Sequence, residues 1–214
     1  IGFCLVGSEM CIRDRPWLDG LSRGEAYLAC LMGYATHGLL DACTSYGTQL
    51  LWPFVDTRIA WDTMSIMDPL FTLPILLLVV AASWTRRRWL VWLACVWMMS
   101  FFTLGWWQHE RALWAAERVA QLRGHSPLRL TVKPSFANLL LWKTIYEFDR
   151  HYYVDAVRVG MQPLWYQGAS VRKLDLARDF PGLEADTRLA KDIERFRWFS
   201  DDYLAPLENA PRII

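Results

Sequence analysis

His37 and Asp41 stand four residues apart in the stretch YATHGLLDACTSYGTQLLWPF, residues 34 to 54, which is otherwise mostly apolar. Residues at this spacing share one face of an α-helix, so an imidazole nitrogen and a carboxylate oxygen can reach the same ion. This pair of ligands suits zinc or manganese. An ionisable side chain within an apolar segment costs about 2.5 to 3.5 kcal/mol on membrane-insertion scales, and it therefore usually has a partner or a task.

Two ligands do not complete a metal site, because structural zinc takes four ligands and catalytic zinc takes three and a water. Within this chain the further candidates are two carboxylates, Asp68 and Asp62. Either carboxylate would supply one of the missing ligands.

The same pair also fits a role without a metal. His37 and Asp41 would then hydrogen-bond each other and neighbouring helices as a polar clasp inside a helix bundle. The spacing alone favours this clasp, because a single His-x-x-x-Asp is a weak signal for a metal.

The chain consists of two regions that differ in composition, and the first of them contains these residues. The sequence is 54% hydrophobic, with 13 Trp and a net charge of +1, and this balance speaks against a nucleic-acid binder. Charges are sparse from Gly24 to Trp107 and frequent after His109. We predict a membrane-embedded helical domain over residues 16–108, followed by a small soluble α+β domain over residues 109–214.

The apolar runs predict about three membrane helices, and their partner is the lipid bilayer. Residues 89–107, WLVWLACVWMMSFFTLGWW, carry no charge and have Trp at both ends, as an interfacial aromatic belt requires. Residues 69–84 form a second apolar run with Pro69 near its start. A first helix, from about Glu25 to Leu51, would turn its polar face inward against other helices.

The basic cluster Arg86–Arg88 predicts the orientation, because short Arg-rich loops are normally retained in the cytoplasm. Asp68 and Trp107 would then lie at the outer side. The soluble domain would be periplasmic, in a multi-pass protein of a bacterial inner membrane.

The soluble domain shows no further chemical motif. We predict a helix over residues 109–123 that continues from the third span, and a last helix over residues 186–199. Between them we predict strands over residues 128–133, 139–148 and 151–160, with a tight turn at 149–150. Its histidines have no ligand-like spacing, so we interpret them as surface or structural residues: His109, His125 and His151.

Residues 1–15, IGFCLVGSEMCIRDR, resemble a translated sequencing-library adaptor and contain no initiator Met. We predict that this segment is not native and contributes nothing to the fold. The protein would then be truncated at its N-terminus.

The stretches THGLLDACTSYGTQLLWPF and WDTMSIMDPLFTLPIL closely resemble bacterial inner-membrane proteins known as membrane-bound metal-dependent hydrolases, some of which are LexA-regulated. The resemblance continues through VKPSFANLLLWKTIYEFDRHYYVDAVRVG to DIERFRWFSDDYLA and so covers nearly everything after Pro16. That family is distantly similar to the zinc phospholipase C and P1-nuclease group, whose metal clusters use His-x-x-x-Asp pairs. His37 and Asp41 match this element. The family has an upstream motif similar to His-Arg-Gly-x-Thr-His-Ser, which would supply further ligands. In this chain the adaptor-like segment stands in its place.

The resemblance implies metal-assisted hydrolysis, in which a divalent ion, zinc before manganese, activates water and polarises a phosphoryl or acyl oxygen. The resemblance implies His37, Asp41 and Asp68 as metal ligands, with Asp68 alternatively a general base and Asp62 a weaker catalytic candidate. Three hydroxyls would orient these ligands, although hydroxyls in apolar helices more often bond the backbone turn behind them: Thr36, Ser45 and Thr48. A site at the outer membrane boundary suggests a small-molecule, phosphoester or lipid-linked substrate. The alternatives are a non-enzymatic membrane scaffold or envelope-binding protein, in which the buried His and Asp are interhelical contacts, and a proton-coupled transporter, which needs more spans.

Overall fold

The computed structural model describes residues 22–184 and 186–206. The adaptor-like segment predicted at residues 1–15 lies outside the described residues. The described chain is a helical region followed by a four-stranded antiparallel sheet, and one long helix belongs to both.

The first helix, α1 (Arg23–Ala42), begins with a capping box. The Ser22 hydroxyl accepts a hydrogen bond from the Glu25 amide, and the Glu25 carboxylate accepts one from the Ser22 amide at 2.8 Å. The helix ends at Ala42, well before the predicted end at Leu51, and the left-handed conformation of Gly47, with φ of 69°, turns the chain beyond it. The chain then pairs with itself through a bridge between Thr48 and Ile59.

Helices α2 (Pro69–Thr85) and α3 (Arg88–Leu122) follow the predicted apolar runs. Pro69 is the first residue of α2, where its missing N–H is tolerated. Helix α3 has 35 residues and is therefore about 52 Å long. It continues through residues 109–123 as predicted.

Helix α3 is the one helix among the described residues that is long and apolar enough to cross a membrane, whereas α2, with 17 residues, is shorter. Helix α1 does not meet the same test. The described structure therefore has one candidate span, and three membrane helices are not confirmed.

The sheet is an antiparallel meander in the order β1-β2-β3-β4, formed by four strands: β1 (Arg129–Pro134), β2 (Leu141–Phe148), β3 (His151–Val159) and β4 (Pro163–Arg172). The predicted tight turn joins β2 to β3, where Asp149 and Arg150 have φ of 48° and 59°. Two successive positive φ values suit a two-residue hairpin. The first three strands match the prediction, whereas β4 was not predicted from the sequence.

The sheet packs on the C-terminal half of α3. Small residues of the helix let the strands approach closely, and the shared core consists of Ala112, Ala115, Ala116, Val132, Trp142, Val157 and Val159. The boundary predicted between residues 108 and 109 therefore falls inside one continuous helix. A short helix α4 (Leu176–Asp179) and the amphipathic helix α5 (Arg188–Phe199) complete the chain, and α5 corresponds to the predicted last helix.

A buried ion pair joins α3 to the sheet just after the helix ends. Arg123 donates to both carboxylate oxygens of Asp155, at 2.6 and 3.1 Å, and Asp155 also accepts from the Gly168 amide at 2.8 Å. Asp155 is 5% exposed. This arrangement fixes the last turn of the helix to the β3–β4 pair.

Candidate functional site

His37 and Asp41 face each other on α1. The distance from His37 Nε2 to Asp41 Oδ2 is 3.6 Å, and the two side chains are 69% and 50% exposed in the isolated chain. The predicted shared face is present, but the expected inward packing against other helices is not. The end of α1 is anchored instead, through Leu40 and Cys43, which pack against Met64 and Phe71.

Asp68 is buried, at 3% exposed, and it caps α2. Its Oδ1 accepts hydrogen bonds from the amides of Leu70 at 3.0 Å and Phe71 at 3.4 Å. These bonds satisfy amides at the helix start, where no intrahelical acceptor exists. Asp68 lines a cavity together with Asp41, whereas His37 lines a different one.

No group of three or more His, Cys, Asp or Glu side chains in residues 22–184 and 186–206 has an arrangement that could hold a metal ion. The described residues therefore supply the His37–Asp41 pair and no complete ligand set. The assignment of His37, Asp41 and Asp68 as metal ligands stays a prediction.

A cavity of about 1170 Å³, here called the long cavity, runs between α1, α3 and the sheet. Most of its wall is apolar, from side chains of α3 such as Met98, Phe102 and Leu113. The acidic and basic side chains that line it are those of His37, Asp62, His109 and Glu110. His37 and Asp62, both selected from the sequence, thus meet at one cavity.

Asp62 is the unusual residue of this cavity. Its Oδ1 is buried and has no hydrogen-bond partner within the described part of the chain, and its backbone φ is 51°. Burial raises the pKa of the carboxyl above its ordinary 3.8, while the Ser45 hydroxyl and the nearby basic groups, Lys133 first among them, act in the opposite direction.

Backbone contacts hold Asp62 in place on both sides. The Trp61 amide donates to the Ala42 carbonyl at 2.7 Å, and the Thr63 amide donates to the Cys43 carbonyl at 3.0 Å. On the other side Gly105 of α3 lies so close that a Cβ built there would be 2.7 Å from the Thr63 carbonyl oxygen. Asp62 is therefore fixed between the end of α1 and the middle of α3.

A second cavity of about 560 Å³, here called the polar cavity, adjoins the long cavity. The two share Ala60, Asp62 and Thr131. The polar cavity contains three cationic side chains, those of Arg58, Lys133 and Arg197. Asp62 thus stands where a mainly apolar space meets a charged one.

The predicted hydroxyls have separate roles. Thr36 Oγ1 donates to the Met32 carbonyl at 2.8 Å, so it bonds the turn behind it. Thr48 forms the bridge to Ile59 through its backbone, with bonds of 2.9 and 2.8 Å. Ser45 lines the polar cavity and lies beside the Asp62 carboxyl.

Of the three histidines of the sheet domain, His109 lies beside the candidate site, and its interpretation as a surface or structural residue stays a prediction. Its ring lines the long cavity and contacts Trp142 edge-on, with centroids 5.7 Å apart. Helical periodicity from Trp106 was the available signal, since both residues line the same cavity. His125 instead stacks on Phe148 at 4.3 Å, as the structural interpretation expected.

No curated protein and no solved structure matches this chain. One family model does match, and the matched stretch contains α1, α2 and most of α3 but not the sheet. That likeness and the apolar α3 support a location in a bacterial inner membrane. Residues 10–112 match the family described as YdjM inner membrane protein, to which this part of the chain is similar.

Proposed function

We propose that the chain is a membrane-bound, metal-dependent hydrolase that acts on a phosphoester or lipid-linked substrate at the outer face of the inner membrane. The observation that carries this proposal is the position of Asp62. A buried carboxyl with an unpartnered oxygen lies at the junction of the two cavities, and His37 and His109 line one of them.

The environment of Asp62 suits proton transfer. A carboxyl whose pKa is raised by burial exchanges its proton nearer to neutral pH, where general acid and base catalysis is most effective. A substrate bond that lay at the junction would be within reach of this carboxyl. His109, which lines the same cavity, would stabilise the charge that develops when the bond breaks.

The metal part of the proposal rests on the His37–Asp41 pair and on the resemblance described above. The described residues do not complete a three-ligand site, so we assign no catalytic step to the ion. Zinc, with manganese as the alternative, would activate water at such a site. Asp68 remains a predicted ligand, since its capping bonds both use Oδ1.

The proposed topology is multi-pass, with α1 and α2 beside α3 in the membrane and the sheet domain in the periplasm. Arg86 to Arg88, between α2 and α3, would be cytoplasmic by the positive-inside rule. The loop that carries Asp62 joins the opposite ends of α1 and α2 and would then face outward, on the side of the sheet domain.

A non-enzymatic scaffold is the second candidate, and two observations favour it. Asp68 caps a helix, and His37 and Asp41 lie 3.6 Å apart as an ion pair would. Neither feature requires a metal. The scaffold would use the sheet domain to bind an envelope component.

Metal content and hydrolysis, measured on the same variants, separate the two candidates. The full chain is purified from membranes without chelators, its metals are measured by inductively coupled plasma mass spectrometry, and phosphate release from dioleoyl phosphatidic acid is followed. We expect His37→Ala and Asp41→Ala to lose metal and activity together, because each removes a ligand. Thr48→Ala is the matched control and should keep both.

Full metal content in the two alanine variants, or no metal and no phosphate release in the unmutated chain, would contradict the hydrolase. The scaffold would then be the better account of the His37–Asp41 pair.

A further inference from the structure

Three cations and five carboxylates line the polar cavity, and two of the cations have no carboxylate partner within the described part of the chain. Of its three cations, Arg197 is already paired, with Glu194 at 2.8 Å and with Asp202 at 3.3 Å. Arg58 and Lys133 make no ion pair within the described part of the chain. The Arg58 guanidinium lies over the ring of Phe199 at 5.0 Å, which holds it in place.

One atom of Arg58 marks where the anion would bind. Its Nη1 is buried and has no acceptor among the described residues. A buried guanidinium nitrogen without an acceptor is costly, and a bound oxyanion would satisfy it with a charge-assisted hydrogen bond. Lys133, on β1, lines the same cavity and supplies a second positive charge.

The carboxylates of the polar cavity are largely committed elsewhere. Glu194 pairs with Arg197, as described above. Asp202 also pairs with Lys173 at 2.7 Å, and Asp201 lies 3.6 Å from Arg129. Asp56 and Asp62 remain, and the buried oxygen of Asp62 faces the junction with the long cavity.

The long cavity has the dimensions of a lipid chain. It follows α3 from Met98 to Leu113, which at 1.5 Å per residue corresponds to about 22 Å. Its wall is mainly hydrophobic, as a site for an apolar ligand requires. The chain would enter from the membrane side, and the junction at Asp62 would separate it from its charged end.

We propose that the two cavities together bind one phosphorylated lipid, with the phosphate on Arg58 and Lys133 in the polar cavity and the hydrocarbon chain in the long cavity. This inference names the substrate class of the proposed function and rests on it. The head group and chain of such a lipid meet at the junction, and this places its phosphoester bond beside Asp62.

The test is a binding titration of the full chain in detergent, followed by native mass spectrometry. EDTA is included so that the lipid is not consumed. The probes are dioleoyl phosphatidic acid, dioleoylglycerol, which has the same chains without phosphate, and inorganic phosphate as a competitor. We expect phosphatidic acid to bind at least tenfold more tightly than dioleoylglycerol.

Arg58→Gln and Lys133→Gln should each weaken phosphatidic acid binding about ten- to hundredfold, the range for one charge-assisted hydrogen bond. Neither should change dioleoylglycerol binding. Arg188→Gln and Lys191→Gln on α5 are the matched controls, because they remove the same charges outside both cavities. Lys133→Gln gives an independent result if the arginine variant does not fold.

Three results would overturn the proposal. The first is an unchanged affinity for phosphatidic acid in both variants, and the second is an equal affinity of the unmutated chain for phosphatidic acid and dioleoylglycerol. The third is displacement of the lipid by equimolar inorganic phosphate, which would show that the hydrocarbon chain adds nothing. Because binding is measured without turnover, tight binding without hydrolysis would contradict the proposed function alone. Hydrolysis of phosphatidic acid that is insensitive to both charge variants would contradict this site alone.

Discussion

Replacing Asp62 by Asn is expected to stabilise the protein at neutral pH and to remove its hydrolytic activity. Asn has the same shape and tolerates the left-handed backbone at this position, where φ is 51°. The substitution therefore changes the charge of a buried group and little else.

The expected increase in stability at neutral pH follows from the pKa of Asp62. Burial raises it above the ordinary 3.8, so the folded protein holds the proton more tightly than the unfolded chain does. The protonated carboxyl favours folding below about pH 3.8, and that contribution is lost as the pH rises through the folded pKa. At pH 7 the charged form is the disfavoured one, and Asn removes it.

The magnitude follows from the charge that the substitution removes. Asn keeps a polar group at the position of the unpartnered Oδ1, so only the additional cost of burying the charged form is relieved. A buried polar group without a partner costs about 1 to 3 kcal/mol and a charged one costs more, and the attraction of Lys133, His109 and Arg58 already offsets part of that cost. We expect Asp62→Asn to raise the free energy of unfolding by about 1 kcal/mol at pH 7 and by nearly nothing near pH 3. If Asp62 transfers a proton, phosphate release should fall about 10²- to 10⁴-fold.

The assay is urea unfolding in detergent at pH 3, 5 and 7, followed by tryptophan fluorescence. Asp149→Asn is the control and should change neither stability nor activity much, because Asp149 is exposed, also has a positive φ of 48° and lies outside both cavities. A variant less stable than the wild-type chain at pH 7, or a gain that is the same at all three pH values, would refute the reasoning about burial.

Four further predictions test the fold around the site. Asp155→Ala leaves a guanidinium without its buried partner, so it should lower the free energy of unfolding by about 3 to 5 kcal/mol in urea titrations. Asp68→Ala removes the cap of α2 and should cost about 1 kcal/mol, whereas Asp68→Asn should cost much less; equal losses would argue against the cap. Gly105→Ala should cost about 1 to 3 kcal/mol in the same titrations, because its Cβ would meet a backbone carbonyl at 2.7 Å, and an unchanged midpoint would show that the loop moves freely. Alkaline phosphatase fused after Arg123 should be active and phosphatase fused at Arg87 inactive, and the reverse pattern would overturn the proposed topology.

Local signals account for the parts of the fold that the sequence predicted well. The start of α2 depends on Asp68 and Pro69, which are adjacent in the chain, and the β2–β3 turn depends on Asp149 and Arg150. Each of these features is decided within a few residues. Periodicity located the four longer helices and three of the strands, whereas the short α4 was not predicted.

Strand β4 has no such local signal. It begins with Pro163, contains Gly168 and is exposed along nearly its whole length, so no alternation of buried and exposed residues marks it. It exists because β3 offers it a paired edge and because the Gly168 amide bonds Asp155. A strand that depends on its neighbour in this way is invisible to periodicity.

The candidate site also depends on contacts between residues that are distant in the sequence. The His37–Asp41 pair was predictable because one helical turn separates the residues, and Asp62 was named without any means of placing it. Its position depends on carbonyls at the end of α1 and on the close approach of Gly105. Arg58 and Lys133 were missed, since only the fold brings a loop and a strand to one cavity.

The length of α3 explains why the site lies where it does. A bilayer core is about 30 Å thick, and a helix of 35 residues extends about 20 Å beyond it. The protruding part carries the sheet on Ala112, Ala115 and Ala116. In the proposed topology the sheet is held directly above the membrane by the same helix that lines the long cavity, and Lys133 on β1 lines the polar cavity together with Asp62. A chain with a flexible linker after the span would have no such fixed junction between an apolar and a charged cavity.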